Sequence, residues 1–292
     1  MPAVTLALDR LPGLALALRM TAVLLLLRPQ GPPLLQTAYL AAGAVALIAP
    51  SALTSAQLWL TVSAVVALRI ASDWPLADNH VYLLAYWCLA LGLALSSAAP
   101  SLTMSRAARW LVASSMAFAV LWKSVLSPDY LDGRFFRMTL IVDERFEDVV
   151  RVAGGMTREE IARHRLALAP LSEGAELAED ASLVEPVAFS RLALALTWGA
   201  LFWELALAAV FLAPLPAALQ WVRHALLLAF CTLVYPVAPV AGFGWLLLAM
   251  GVSQMPDADA FWRRAYVLIW LWVLATTELP WAAWLAEALN RS

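Results

Sequence analysis

Nine runs of apolar residues, separated by prolines or clusters of charge, set the pattern of the chain. They fall near residues 11–27, 34–50, 55–71, 81–98, 106–126, 188–213, 218–238, 239–254 and 262–286. A helix that crosses lipid needs ~20 mostly apolar residues, so each run is a candidate span. Arg19 interrupts the first run. The seventh and eighth join through Pro236 and Pro239, so either can be a broken or re-entrant helix. The pattern therefore predicts an all-α, polytopic membrane protein of eight or nine spans.

Between the fifth and sixth runs lies a break of different character. Residues 127–187 hold twenty of the forty Asp, Glu, Lys and Arg residues, thirteen acidic and seven basic. Within this segment, DERFEDVVRVAGG reads as a helix stopped at Gly154 or Gly155. In TREEIARHRL, Thr157 is an N-cap with Glu160 three residues on, the signature of a capping box. About sixty residues are too few for an independent core, so this segment should be a small helical cap packed on the rest. The expected organisation is residues 1–126 as about five spans, 127–187 as the cap and 188–292 as three or four more.

Composition strengthens the membrane reading. Hydrophobic residues make up 63% of the 292 residues and charged ones 14%, with fourteen tryptophans; soluble domains are nearer half apolar and a quarter charged. Trp262, Trp281 and Trp284 suit an interfacial belt. A net charge of −2 gives no electrostatic footprint for nucleic acid. Cys88 and Cys231 sit inside apolar runs as reduced core thiols, and neither they nor the three histidines have metal-ligand spacing. The N-terminus superficially resembles a signal peptide. Asp9 and Arg19 interrupt it and no small-residue cleavage site follows, so it reads as mature sequence. Arg106 and Arg109, Arg223, and Arg263 with Arg264 fall on one side if spans alternate. That side is then cytoplasmic and the cap extracytoplasmic, in a bacterial inner membrane.

Ionisable residues inside apolar runs are expensive and mark partners, cavities or function. Here they are Arg19, Lys123, Glu204, His224 and Glu278, with Tyr235 beside Pro236. Helical rise places Lys123 roughly 5 Å below the outer surface, Glu204 roughly 24 Å and Glu278 within about 12 Å. Lys123 and Glu204 are thus not expected in one centre. Glu204 and His224 come out at similar depth as an inner polar pair, serving as structural glue or as a site. Lys123, Tyr235 and Glu278 would line an outward-facing pocket under the cap, where irregular backbone at membrane depth is tolerated.

Lys123 is the only lysine beside eighteen arginines. An amine in a poorly hydrated pocket can lose its proton near neutral pH, whereas a guanidinium cannot. A base is therefore one reading of that position; a lysine snorkelling to the headgroups is the other.

The stretch RAARWLVASSMAFAVLWKSVLSPDYLDGRFF, residues 106–136, resembles a helix and loop of the horizontally transferred transmembrane family. This is the membrane portion shared with vitamin K-dependent γ-glutamyl carboxylase. Lys123, Asp129, Tyr130 and Gly133 follow the family's order, with about two extra residues between lysine and aromatic. A second stretch, from Glu204 through Arg223 and His224 to Phe243 and Gly244, is similar to the family's next helices. The resemblance covers about a third of the chain. It implies a quinone or hydroquinone ligand, with Lys123 as the base that deprotonates the quinol; Asp129 of the matched turn, and Tyr235 and Glu278 of the pocket inferred from topology, are then the expected substrate-binding residues. The carboxylase continues into a long soluble region and this chain ends at Ser292, so γ-carboxylation is not expected.

The leading expectation is a membrane protein that binds a lipophilic small molecule near Lys123. The competing one is a non-enzymatic subunit of a larger membrane complex that docks a protein partner through the cap. A proton-relaying transporter would want paired broken helices in two halves, and the chain shows none.

Overall fold

The computed structural model describes residues 11–169, 185–238, 240–255 and 259–279, together with 281 and 284. Asp9, Pro239, cap residues 170–184 and most of the ninth run beyond Leu279 lie outside the described residues. Among those described, every regular element is helical and there is no strand.

Among the described residues, the apolar runs become nine helices. They are α1 (Gly13–Leu27), α2 (Pro33–Ile48), α3 (Ala56–Ser72), α4 (Asn79–Leu95), α5 (Pro100–Leu121), α8 (Val187–Leu212), α9 (Trp221–Val234), α10 (Ala241–Val252) and α11 (Ala260–Glu278). Proline sets several of the boundaries. Pro33, Pro50 and Pro100 each open a helix, where the missing N–H costs nothing. The helices are shorter than the runs suggest. Among the described residues, two segments are long and apolar enough to cross a membrane, Val187–Leu212 and Ala217–Val234, and five more are apolar at 10–17 residues.

The buried core is centred on α1 and α10. Residues Trp245 to Met250 of α10 are all at most 1% exposed, as expected of a helix that is apolar on every side. The two helices meet where Gly13 leaves room for the backbone carbonyl of Val252; a Cβ there would lie 2.5 Å from that oxygen. Trp87 of α4 donates to Thr21 Oγ1 of α1 at 2.8 Å, which satisfies its buried indole N–H.

The cap contains α6 (Arg134–Val142) and α7 (Arg158–Leu168), joined by short 3₁₀, α and π turns. The stretch read as one helix from Asp143 is therefore broken, and Gly155, at φ 69°, ends it in the left-handed region. Thr157 and Glu160 form the capping box. A second small core of Leu140, Ile141, Phe146, Val150, Met156 and Ile161 closes on Phe189 and Ala193. The first two turns of α8 thus belong to the cap, and only its later part reaches the main core at Leu207, Ala208 and Phe211.

At the opposite end, α8 stops against two arginines. Arg109 donates to the carbonyls of Phe211, Leu212 and Ala213 at 2.7–3.1 Å. Arg223 donates to Val210 and Ala213 at 2.8 and 2.5 Å. The last carbonyls of a helix have no partner within it, and here two guanidiniums supply one. These are two of the arginines whose placement suggested a cytoplasmic side, and they have a structural task at that end.

Candidate functional site

Helix α5 ends in a π turn, Trp122–Leu126, a wider winding often found at functional sites. From that turn Lys123 reaches inward and its Nζ forms an ion pair with Glu204 Oε1 of α8. The side chains are 21% and 12% exposed. The sequence-based depths set these residues about 19 Å apart in level, which the structure corrects. Gly133 packs against Leu194, so the turn after α5 is level with the third turn of α8, not with its start. Because the first turns of α8 lie within the cap, Glu204 comes level with Lys123, which its count from residue 188 does not anticipate.

Aromatic side chains surround the pair. The Tyr130 ring centroid lies 5.2 Å from Lys123 Nζ, a cation–π contact, and Phe135 and Phe136 flank that ring at 5.3 and 5.8 Å. Tyr235 is 2% exposed and rests on Gly244, where a Cβ would come within 2.7 Å of the ring. The hydroxyls of Tyr130 and Tyr235 and the Oε2 of Glu204 are buried without a hydrogen-bond partner among the described residues. Both tyrosines lie within electrostatic reach of the Glu204 carboxylate. Buried polar atoms are nearly always paired; Tyr39, Trp245 and Trp270 also bury an unpaired polar atom elsewhere in the core, and what is particular here is that three such atoms lie at and around one ion pair.

The pair borders a cavity of about 740 Å³. Its wall is largely apolar and aromatic, with Leu83, Tyr86, Leu111, Phe118, Trp122 and Phe243, and besides the pair polar groups enter from Asp78, Asn79, His80, Ser114 and Ser115. A few placed polar groups in an apolar wall are the usual character of a small-molecule site.

The remaining predicted site residues are distributed differently. Tyr235 is packed beneath the pair and does not line the cavity. Glu278 lies in an adjoining polar chamber of about 550 Å³, ion-paired with Arg28. Asp129 pairs with Arg134 at 2.7 Å and is 58% exposed, so it serves the surface of the cap turn. His224 does not meet Glu204. Its Nδ1 shares a 2.8 Å hydrogen bond with Tyr266 of α11, whose ring fits against Gly251. The proposed inner pair is replaced by two separate ones. Arg19 donates to Ala15 of its own helix at 3.1 Å.

His80 and Tyr130 are parts of the region that sequence reasoning gave no role of their own. Tyr130 stood in the right aromatic turn. His80, at the start of α4, carried no local signal, and only the tertiary packing of α4 against Gly242 brings it to the wall shared by both cavities. No group of three or more His, Cys, Asp or Glu among the described residues is placed to hold a metal ion. No family model matches the chain, and no curated protein or solved structure is similar to it.

Proposed function

We propose that the chain is an integral membrane protein of the carboxylase-like transmembrane family, with eight or nine spans, that binds a quinol or similar lipophilic molecule beside Lys123. The membrane reading draws on the composition and on the outer surface. Ile48, Leu68, Phe202, Leu205 and Leu268 are each more than half exposed, on helices whose buried faces are equally apolar. Lipid tails suit such a surface as water does not.

The observation that carries the functional reading is the Lys123–Glu204 pair bordering an apolar cavity of ligand size. Proton transfer within the pair, from ammonium to carboxylate, leaves a free amine at the cavity wall. That amine takes the hydroxyl proton of a quinol, giving an ammonium and a quinolate that attract each other in a poorly hydrated site. Glu204 is thus a partner that holds the first proton, and Lys123 the group that accepts the second. The Tyr130 ring holds the ammonium in position, and Ser114 and Ser115 supply hydroxyls for the second quinol oxygen.

The reading is tested by equilibrium binding of a short-chain quinol to the detergent-purified protein. Lys123→Ala and Glu204→Gln should each weaken binding at least ten-fold, about 1.4 kcal/mol. Lys123→Arg keeps the charge and the ion pair but removes the base, so it should retain most of the binding and lose quinol deprotonation, followed by the absorbance of the quinolate. Unchanged affinity in Lys123→Ala and Glu204→Gln would sink the assignment.

A further inference from the structure

The two helices of the cap differ in what they turn outward. On α7 the exposed positions are Arg158, Glu159 and Arg163, beside Ala162 and Leu166, a mostly polar face of the kind that suits water. Helix α6 buries Leu140 and Ile141 in the core of the cap, yet its outward side is apolar as well. Phe135, Met138 and Val142 are 46%, 47% and 56% exposed, and their helical spacing sets them on one stripe. Both cations of α6 have carboxylate partners, Arg134 in Asp129 and Asp132, and Arg137 in Glu185.

This stripe continues another. On α8, Leu194, Trp198, Phe202 and Leu205 are exposed along one face. Leu194 meets the turn that starts α6, where a Cβ at Gly133 would lie 3.1 Å from its side chain. From Leu194 to Leu212, at the carbonyls held by Arg109 and Arg223, α8 rises about 27 Å. That is close to the ~30 Å of a hydrocarbon core, so α6 starts where the outer face of such a core would lie. We infer that α6 is an interfacial helix, seated in the outer leaflet with Phe135, Met138 and Val142 at the boundary between headgroups and acyl chains. The inference rests on the membrane reading and not on the quinol. An amphipathic helix is stabilised by burying its apolar face at that depth. With both arginines paired, the surface fits acyl chains rather than an anionic headgroup. The rings of Phe135 and Tyr130 are 5.3 Å apart, so the same seating steadies the aromatic turn over Lys123.

Collision measurements on nitroxide-labelled cysteine variants of the full chain in phosphatidylcholine nanodiscs test the inference. Oxygen concentrates in lipid, and a neutral nickel chelate in water. Cys88 and Cys231 are fully buried and do not compete for the label. Labels at Met138→Cys and Val142→Cys should collide more with oxygen than with nickel, as should Phe202→Cys on α8. Arg163→Cys on α7 should show the reverse. All of these positions are at the surface, so the labels leave the core intact. A label at Phe202→Cys that reports water would remove the membrane reading and the inference with it. Lipid at Phe202→Cys, with water at Met138→Cys or Val142→Cys, would overturn the inference alone. Labels on α6 shielded from both reagents would overturn it too, and would mark a protein partner on this face.

Discussion

Lys123 illustrates what residue type and context each contribute. Its singularity among the basic residues was visible in the sequence, and so was its place at the end of an apolar helix. Its partner was not. Glu204 was set aside because counting depth along a straight helix assumed that α8 starts where the cap ends. The same limitation produced the Glu204–His224 pair. Similar depth does not fix which faces of two helices meet, and Tyr266, opposite Gly251, takes His224 instead. In the cap, Asp143 gives a test by pH. Its carboxylate accepts the side-chain and backbone N–H groups of Arg145, chiefly the former, and is held below the usual carboxylate range. A depressed folded value means that its contribution to stability is present above the ordinary aspartate value, about 4, and is lost as pH falls through the folded one. Asp143→Asn should therefore lower the stability of the cap at neutral pH and flatten its decline below about pH 4, followed by hydrogen exchange over residues 134–168. A decline identical to that of the wild type would contradict the account.

Among the elements, α8 has the most demanding position. Its first turns complete the core of the cap, its middle carries Glu204, and its final carbonyls are held by Arg109 and Arg223. The sequence showed an unbroken apolar run and gave no sign of this division, because burial against the cap and burial against other helices require the same residue types. Local signals fared better. The capping box at Thr157 and the stop at Gly155 were both readable, since caps depend on residues adjacent in the chain. Phe189 is the anchor of the cap, 1% exposed and packed at Gly154. Phe189→Ala should cost about 3–5 kcal/mol, as such core truncations do. Protection from hydrogen exchange should then fall across residues 134–168 while α1 and α10 keep theirs. A uniform loss across the whole molecule would mean that the cap and the helical core unfold as one unit.

At the scale of the whole molecule, the all-helical organisation follows from the apolar runs, and the interior follows from α10, apolar on every side. The cavity and the polar chamber did not follow, because they arise where the ends of α1, α4, α5, α10 and α11 converge on the middle of α8. Those ends lie far apart in sequence, and no local pattern encodes their meeting. The account places a lysine–glutamate pair, three unpaired polar atoms and an apolar cavity together at that convergence, and its central claim is that a lipophilic molecule occupies the cavity beside Lys123. Native mass spectrometry of the detergent-purified protein, wild type beside Lys123→Ala, tests this most directly. The account predicts a quinone-sized adduct on the wild type, extractable into organic solvent and absent from the variant. A wild type that carries no such adduct, or a variant that retains it, would contradict the claim.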